Sequence, residues 1–516
     1  MVSRRRQQAV LTVGAALLVA LAGCTSSSGA TGTTISGDTS RTLKIAIPTD
    51  PTSLDPCDSQ SADGVGTLRR NVTESLTDLD PGTGKVVPLL ALSWKQDAPT
   101  TWTFKLRPNV KFQDGTPFDA AAAVFNVKRT MQPKLGCLNL ENLPDPIMAT
   151  AVDATTLKVV TKKPDPILPL RISWVDMVST RTPMNAKTSH PVGTGPYAFV
   201  SRTTGTNMKF TRFAGYWGPK PQAAAVTYTF RSEASVRAAT AKTGESDVAV
   251  PIAPQDATND DRTRAYTQDR VFFLRLDTDK PPLNDLRVRQ AIGCAIDKNK
   301  IVSALMGKTG KPTDQMLTPS VNGYIPGYKG PGYDPGKAKA LLGQARGAGV
   351  DTAQQIELFS RNTLFPGSDD VLQAIVQNLK DAGLNIKLVE LDDNAYKDKI
   401  HATHNSGQPV SMLAVSHDNA LGDASFSFPK YLASSGSVST IRDPRLDSLL
   451  DQADAAEGAK RASLYQQAAQ WAYQRDVGIV PIAEQFSQLL LNKGVKYEPN
   501  GLTGLELQAS QVHFMG

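Results

Sequence analysis

The sequence predicts an α/β protein of more than one domain. The chain has 516 residues, 40% of them hydrophobic, which is enough for sizeable cores and too long for one ordinary domain, so two or three are expected. The stretch Trp102 to Arg129 reads as strand, turn, short strand, turn, helix. From Val271 onward, helical and strand patterns alternate. A strand–helix–strand unit of this length implies a parallel pair with a helical crossover.

Residues 1 to 24 come first and carry a secretory signature. Arg4, Arg5 and Arg6 form a basic start, and Ala9 to Ala22 is an apolar run of signal-peptide length, short for a bilayer span. It ends Leu21-Ala22-Gly23-Cys24. This resembles a bacterial lipobox, in which Cys24 would be lipid-modified and become the mature N-terminus. Ser3-Arg4-Arg5 leaves the export route, general secretory or twin-arginine, open. Thr25 to Ser40 is a Ser/Thr/Gly tether with a coil reach of about 20–25 Å. The expected product is extracytoplasmic and held to the cell membrane by a lipid on Cys24.

The formal net charge is +7, and Arg4 to Arg6 supply part of it. No basic run with interleaved aromatics is present, which argues against nucleic acid as a partner. Of the remaining cysteines, Cys294 sits at helical spacing among apolar residues and reads as a buried thiol. Cys57 and Cys137 lie in loop-like contexts; an oxidising compartment permits a bridge between them, and sequence alone leaves the pairing open.

Thr42 to Pro48 alternates as a first strand, and Leu68 to Leu79 reads as a helix. In the Trp102 stretch, Trp102, Phe104 and Leu106 alternate with polar residues. Val110 and Phe112 resume that alternation, Gln113-Asp114-Gly115 is a turn, and Asp119 is placed to cap a helix. Thr156 to Thr161 and Ala224 to Phe230 are further strands, and Ser232 to Lys242 is a helix. Gly193 and Gly195 form a GxG beside a strand, but a proline and a strand follow where a dinucleotide site needs a third glycine and a helix. Val271 to Leu276 is a strand. Helices then follow behind Asn284 or Asp285, behind Asp297 with a stop at Gly307, and behind Asp334-Pro335. Ile356 and Leu358 form a strand, Val371 to Leu379 a helix stopped by Gly383, and Ile386 and Leu388 the next strand. Asp443-Pro444 opens a helix, Arg461 to Tyr473 forms another, and Val477 to Ile482 runs back as a strand.

Several stretches, in order, resemble the substrate-binding proteins of ABC importers of the peptide/nickel (oligopeptide-binding, family 5) class. They are Leu89 to Trp94, Trp102 to Thr116, Pro191 to Tyr197, Gly215-Tyr216-Trp217, Gly244 to Val248, Pro281 to Ile301, Tyr333 to Ala345 and Ile375 to Leu388. The resemblance implies a two-lobed, periplasmic-binding-protein-like fold of the class II type, with a hinge and an inserted N-terminal subdomain. Lobe I would take residues 42–62, 192–270 and 482–516, the insertion 63–191, and lobe II 271–481, after a signal peptide at 1–23 and a tether at 24–41. It also implies a monomer that encloses a peptide between its lobes and presents it to membrane permease subunits, with no cofactor. In such peptide binders an aspartate of the second lobe accepts the ligand's amino group, and Asp418 matches it. His417, Trp174, Glu484 and Ser59 are further candidates for the ligand pocket.

The same role for a non-peptide solute, such as chelated nickel or a sugar, is the alternative. A secreted hydrolase is the alternative of another class, but GxSxG, HExxH and a cysteine–histidine arrangement are all absent. His401 and His404 have helical spacing without the intervening glutamate of a hydrolytic zinc motif, and they read as surface rather than a metal site.

Overall fold

The protein is described here from a computed structural model that covers residues 40–59, 67–80, 83–143, 146–361, 364–401, 409–499 and 507–515. Cys24, the leader, the tether up to residue 39, and His404 lie outside the described residues. Strand β1 (Thr42–Ile47) buries Leu43 and Ile45 on one face and Ala46 on the other.

The helix predicted over Leu68–Leu79 does not form. The Leu68 carbonyl instead accepts the N–H groups of Asn71, Val72 and Thr73, and Arg70 turns to a φ of 63°. The chain then enters β2 (Thr77–Leu79), which pairs with β3 (Val86–Pro88) as a hairpin. Tertiary contacts explain the difference. Gly193 and Gly195 pass so close that a Cβ on Gly193 would lie 2.1 Å from the Val72 carbonyl oxygen. Gln113 locks this crossing by donating to the Val72 and Tyr197 carbonyls at 3.0 and 2.9 Å and accepting from the Gly193 N–H at 2.8 Å. The GxG is therefore a backbone crossing point.

Strands β4 (Ala91–Ala98), β5 (Thr101–Leu106), β6 (Ile147–Asp153) and β7 (Thr156–Thr161) form a four-stranded sheet in the order β4-β5-β7-β6. The predicted short strand at Val110 and Phe112 is reduced to a single bridge, Lys111 with Pro117. Asp119 caps the helix Ala120–Thr130 by accepting from the Ala122 N–H at 2.9 Å. Phe104, Phe112, Phe118, Ala123 and Val127 pack together in the core of this region. Buried Glu74 ties it to the next segment, accepting from Thr194 at 2.8 Å, Tyr216 at 3.0 Å and Trp217 Nε1 at 2.7 Å. Cys57 and Cys137 are joined as a disulfide, and Cys294 is a buried free thiol.

The central sheet has eleven strands. Beyond β1 it takes β8 (Tyr197–Thr203), β9 (Asn207–Arg212), β10 (Ala225–Phe230), β11 (Val248–Ala249), β12 (Thr263–Leu276), β13 (Gly310–Pro312), β14 (Gln355–Arg361), β15 (Asn385–Leu391), β16 (Ser411–Asp418) and β17 (Ile479–Leu491). The order is β15-β14-β16-β12-β17-β11-β1-β10-β9-β8, with β13 on β17. Strands β14 and β15 are parallel, joined through the helix Ser368–Ala382, whose C-terminus meets Gly383 at a φ of 104°. Asp285, Asp334 and Asp443 each cap the helix that follows, at Leu286–Ala295, Pro335–Gly347 and Pro444–Asp454.

The two lobes share this sheet. One core gathers Leu43, Ile45, Tyr197, Phe210, Tyr228 and Val248; two others cover opposite faces of the β12–β16 region. Strands β12 and β17 run through both lobes as one antiparallel pair, so the polypeptide crosses between lobes inside a hydrogen-bonded ladder. The ladder is interrupted by register shifts between Thr267 and Arg270 and between Phe272 and Phe273. Bulges of this kind bend a strand and raise its twist locally. The lobe I/II boundary read from the sequence at 270/271 falls inside this continuous strand pair. Among the described residues, no helix is long and apolar enough to cross a membrane.

Candidate ligand cleft

The β12 bulge and the end of β16 bring a group of polar side chains together. In the antiparallel register Arg270 lies opposite Asp418 and Val271 opposite His417. Arg270 Nη2 donates to Asp418 Oδ2 at 2.8 Å, and both side chains remain half-buried. Burial works against ionisation of Asp418, but the Arg270 charge and hydrogen bond outweigh it and hold the carboxyl below its ordinary value. Asp418 is thus a carboxylate at neutral pH, with one oxygen engaged by Arg270.

Asp269, one residue back in the bulge, has a φ of 48° and is 2% exposed. Its Oδ1 accepts from Thr318 at 2.6 Å and from Ser320, while buried Oδ2 has no partner. Burial pushes its carboxyl up to about 6, opposed by the two hydroxyls and reinforced by the charges of Asp418 and Glu484. Asn419 donates its backbone N–H to the Asp269 carbonyl at 2.9 Å and its Nδ2 to Ser427 at 2.7 Å; its buried Oδ1 has no partner. Glu484, on β17, is 5% exposed, lies 3.6 Å from Lys311, and is raised by burial. The group therefore holds two buried acceptors without donors, Asp269 Oδ2 and Asn419 Oδ1, beside the ionised Asp418.

His417 stands beside this group in a different role. Its Nε2 lies 2.9 Å from the Ser427 hydroxyl, its ring stacks on Phe426 at 5.7 Å, and Tyr431 meets it edge-on at 4.8 Å. Burial depresses the imidazole to about 3, so it is neutral across the physiological range.

Trp174 lies in the interior of the inserted region, and Ser59, just before it in the chain, is buried against it. Ser59 is fully buried, donating to Asp176 and accepting from Asn139 Nδ2 at 3.1 Å. Trp174 is 2% exposed, with the Arg69 guanidinium 4.2 Å above its ring. Its remaining surface packs with Leu79, Leu170, Leu421 and Phe426. That cluster joins the insertion to the second lobe, so Trp174 forms part of the seam where the two meet. Both pocket candidates are thus enclosed by protein in this structure.

Polar contacts also bridge the seam: Arg171 Nη2 donates to Ser425 at 3.4 Å, and Lys430 Nζ lies 3.4 Å from Glu141. Closure here rests on buried apolar area, worth about 1.5–3 kcal/mol for each fully buried large side chain. His401 ends the helix Asp393–His401 and is exposed. Among the described residues, no group of three or more His, Cys, Asp or Glu side chains is arranged to hold a metal ion.

Arg270 and Asp269 were not among the sequence candidates. Each gains its meaning from a partner far along the chain, and no local pattern marks either one.

Two lobes joined by a bulged strand pair, with a polar group at that pair and an insertion packed against the second lobe, suit a protein that encloses a solute. The family described as "Bacterial extracellular solute-binding proteins, family 5 Middle" matches residues 85–437, and the chain belongs to it: it is a family 5 solute-binding protein of ABC importers. It is 27% identical over 465 residues to the glutathione-binding protein GsiB of Escherichia coli (strain K12), covering 86% of this chain and 88% of that protein. The fold is similar to that of the ABC transporter substrate-binding protein CtaP of Listeria monocytogenes, with a TM-score of 0.81 at 22% identity, covering 92% of this chain and 100% of that one. It is similar also to a dipeptide-binding protein of Pseudoalteromonas sp. SM9913 in complex with Met-Leu, with a TM-score of 0.77 at 20% identity and coverages of 92% and 100%. These relatives are binding proteins rather than enzymes.

Proposed function

We propose that this protein captures short peptides between its lobes and delivers them to an ABC import permease. The observation that carries the peptide reading is the unpaired acceptor set around Asp418. Asp418 is ionised and half-buried, and the buried Asp269 Oδ2 and Asn419 Oδ1 beside it have no donor. A peptide's α-ammonium and first amide N–H supply the missing donors. A charged hydrogen bond of this kind is worth about 1.5–3 kcal/mol. His417, neutral and stacked on Phe426, shapes the wall behind the amine, and Glu484 adds negative potential from β17. The glutathione-binding relative is consistent with a small peptide-like solute.

The lobe boundaries at 42–62, 192–270 and 482–516, at 63–191, and at 271–481 belong to this proposal. So do a lipid on Cys24, which would keep the monomer beside its permease, and the tether that spaces it from the membrane. Calorimetry tests the reading with matched free-amine and N-acetylated peptides. Tighter binding of the free-amine form, lost in Asp418→Asn, supports it; equal affinity for both forms removes it.

A further inference from the structure

Asp418 is both surrounded by protein and reachable. Desolvation by neighbouring atoms is the largest single influence on its carboxyl, yet 37% of the side chain is exposed. A group with both properties lies at the floor of a cleft. Arg270, its partner across the β12–β16 ladder, is 29% exposed. It also lines a cavity of about 230 Å³ that takes Ile252 from the first lobe, Phe486 from β17 and Phe365 from the second lobe. The acids around the pair are less accessible. Asp269 is 2% exposed and its Oδ1 is held by Thr318 and Ser320; Glu484 is 5% exposed and lies 3.6 Å from Lys311. A ligand that reaches this group therefore meets Arg270 and Asp418 side by side.

The pair is a cation and an anion 2.8 Å apart, joined through Nη2 and Oδ2. The Ala420 N–H takes one more position on Asp418. A guanidinium has five N–H donors and a carboxylate about four acceptor positions, so each keeps capacity for a ligand atom. An ammonium alone would use Asp418 but would set a second positive charge beside Arg270. An ammonium with a carboxylate on the same carbon removes that conflict. Its nitrogen and carboxyl oxygen lie about 3 Å apart by ordinary bond lengths, which matches the span of the pair. Four charges then alternate around one ring, each with an opposite charge on both sides. Asp269 and Glu484 oppose a carboxylate, but both have partners of their own, whereas Arg270 would contact it directly. In a peptide joined through its α-carboxyl, the atom at that place is a neutral carbonyl oxygen, and the attraction between full charges is lost.

We infer that the Arg270–Asp418 pair binds an α-amino acid head, with the ligand's ammonium on Asp418 and its carboxylate on Arg270. The inference rests on the peptide reading above and deepens it. The favoured peptide is one whose first residue is linked through its side-chain carboxyl, as in a β-aspartyl or γ-glutamyl peptide, and keeps its α-carboxylate free. Arg270 then sets specificity as well as holding Asp418. The β12 bulge contributes by its register shift between Thr267 and Arg270, after which Arg270 stands opposite Asp418.

The test is competitive retention of isomers. Tripeptides γ-Glu-X-Gly and α-Glu-X-Gly, with X alanine, valine, phenylalanine or lysine, are mixed in equal amounts with the protein. The isomers share composition, net charge and a free ammonium; they differ in whether a carboxylate stands beside it. Heavy-isotope glycine in the α series lets mass spectrometry tell them apart after gel filtration. A third series is γ-linked but carries an α-carboxamide, which keeps the shape and removes the charge.

The γ-linked acids are retained about fivefold over both other series, the upper end for a partly exposed ion pair. In Arg270→Gln the preference drops below about twofold, since the cation is gone. The wild-type series decide the matter even if the variant does not fold. Equal retention of the γ and α isomers, a carboxamide series retained as well as the acids, or a preference that Arg270→Gln leaves intact overturns the inference and leaves the peptide reading standing. No peptide retained from any series overturns both.

Discussion

Leu79 of the inserted region and Gly422 of the second lobe meet so closely that a Cβ on Gly422 would lie 2.9 Å from Leu79 Cδ2. Gly422 also has a φ of +72°, which L side chains rarely adopt. The hairpin beside Leu79 repeats the approach, where a Cβ on Gly84 would come within 3.1 Å of the Ser320 carbonyl oxygen. Closure of the insertion onto the second lobe depends on backbone reaching side chain without an intervening Cβ.

Gly422→Val is therefore expected to weaken ligand binding by about 1–3 kcal/mol through overpacking of the seam. The strained φ acts in open and closed states alike, so it lowers stability rather than affinity. Leu79→Ala tests the clash itself. In the double variant, calorimetric affinity recovers if the clash at the seam was the obstacle and stays low if it was not.

Asp418→Asn is expected to weaken free-amine peptides by at least ~1.5 kcal/mol, the low end for a hydrogen bond to a charged group. N-acetylated peptides lose little, because they bring no ammonium. Calorimetry on matched pairs reads the difference, and equal losses for both would move the anchor elsewhere.

Stability should fall as pH rises through the titration of Asp269. An unfolded aspartate titrates near 3.9, and the folded Asp269 sits at about 6 because of burial. Between about pH 4 and 6 the folded state binds more proton than the unfolded one, so each step upward costs stability, to a total of about 2–3 kcal/mol above pH 6. Asp269→Asn removes that cost while keeping an oxygen for Thr318 and Ser320. Calorimetric Tm of the variant should exceed wild type at pH 7.5, and the gain should shrink toward zero at pH 4. A gain of the same size at both pH values would mean that titration is not its cause.

The disulfide closes a chain segment with a sequence separation of 80. Loop closure of this length, with the usual discount for structure in the reduced chain, makes it worth about 2–4 kcal/mol. Urea denaturation with and without dithiothreitol measures this. A midpoint that does not move would show that the pairing contributes nothing to the folded body.

Much of the fold was legible because its signals are local. Asp285, Asp334-Pro335 and Asp443-Pro444 each carry their cap in the next few residues, and the strands at Thr156–Thr161 and Gln355–Arg361 announce themselves by alternation. Leu68–Leu79 misled because its spacing is helical while Gly193, Gly195 and Gln113 impose another path from far along the chain. In the proposed cleft, the resemblance points to Asp418. Arg270 and Asp269 were not, since the first pairs across 148 residues and the second acquires its environment from Thr318 and Ser320, about 50 residues away. For Trp174, an apolar run does not reveal that Leu421 and Phe426 pack against it.

The central claim is that the enclosed solute is a peptide held by its amine at Asp418. The most direct measurement is mass spectrometry of the ligand retained by protein purified from its native host. Mixed short peptides with free amino termini are the result this account predicts. One defined non-peptide compound in stoichiometric amount would contradict it.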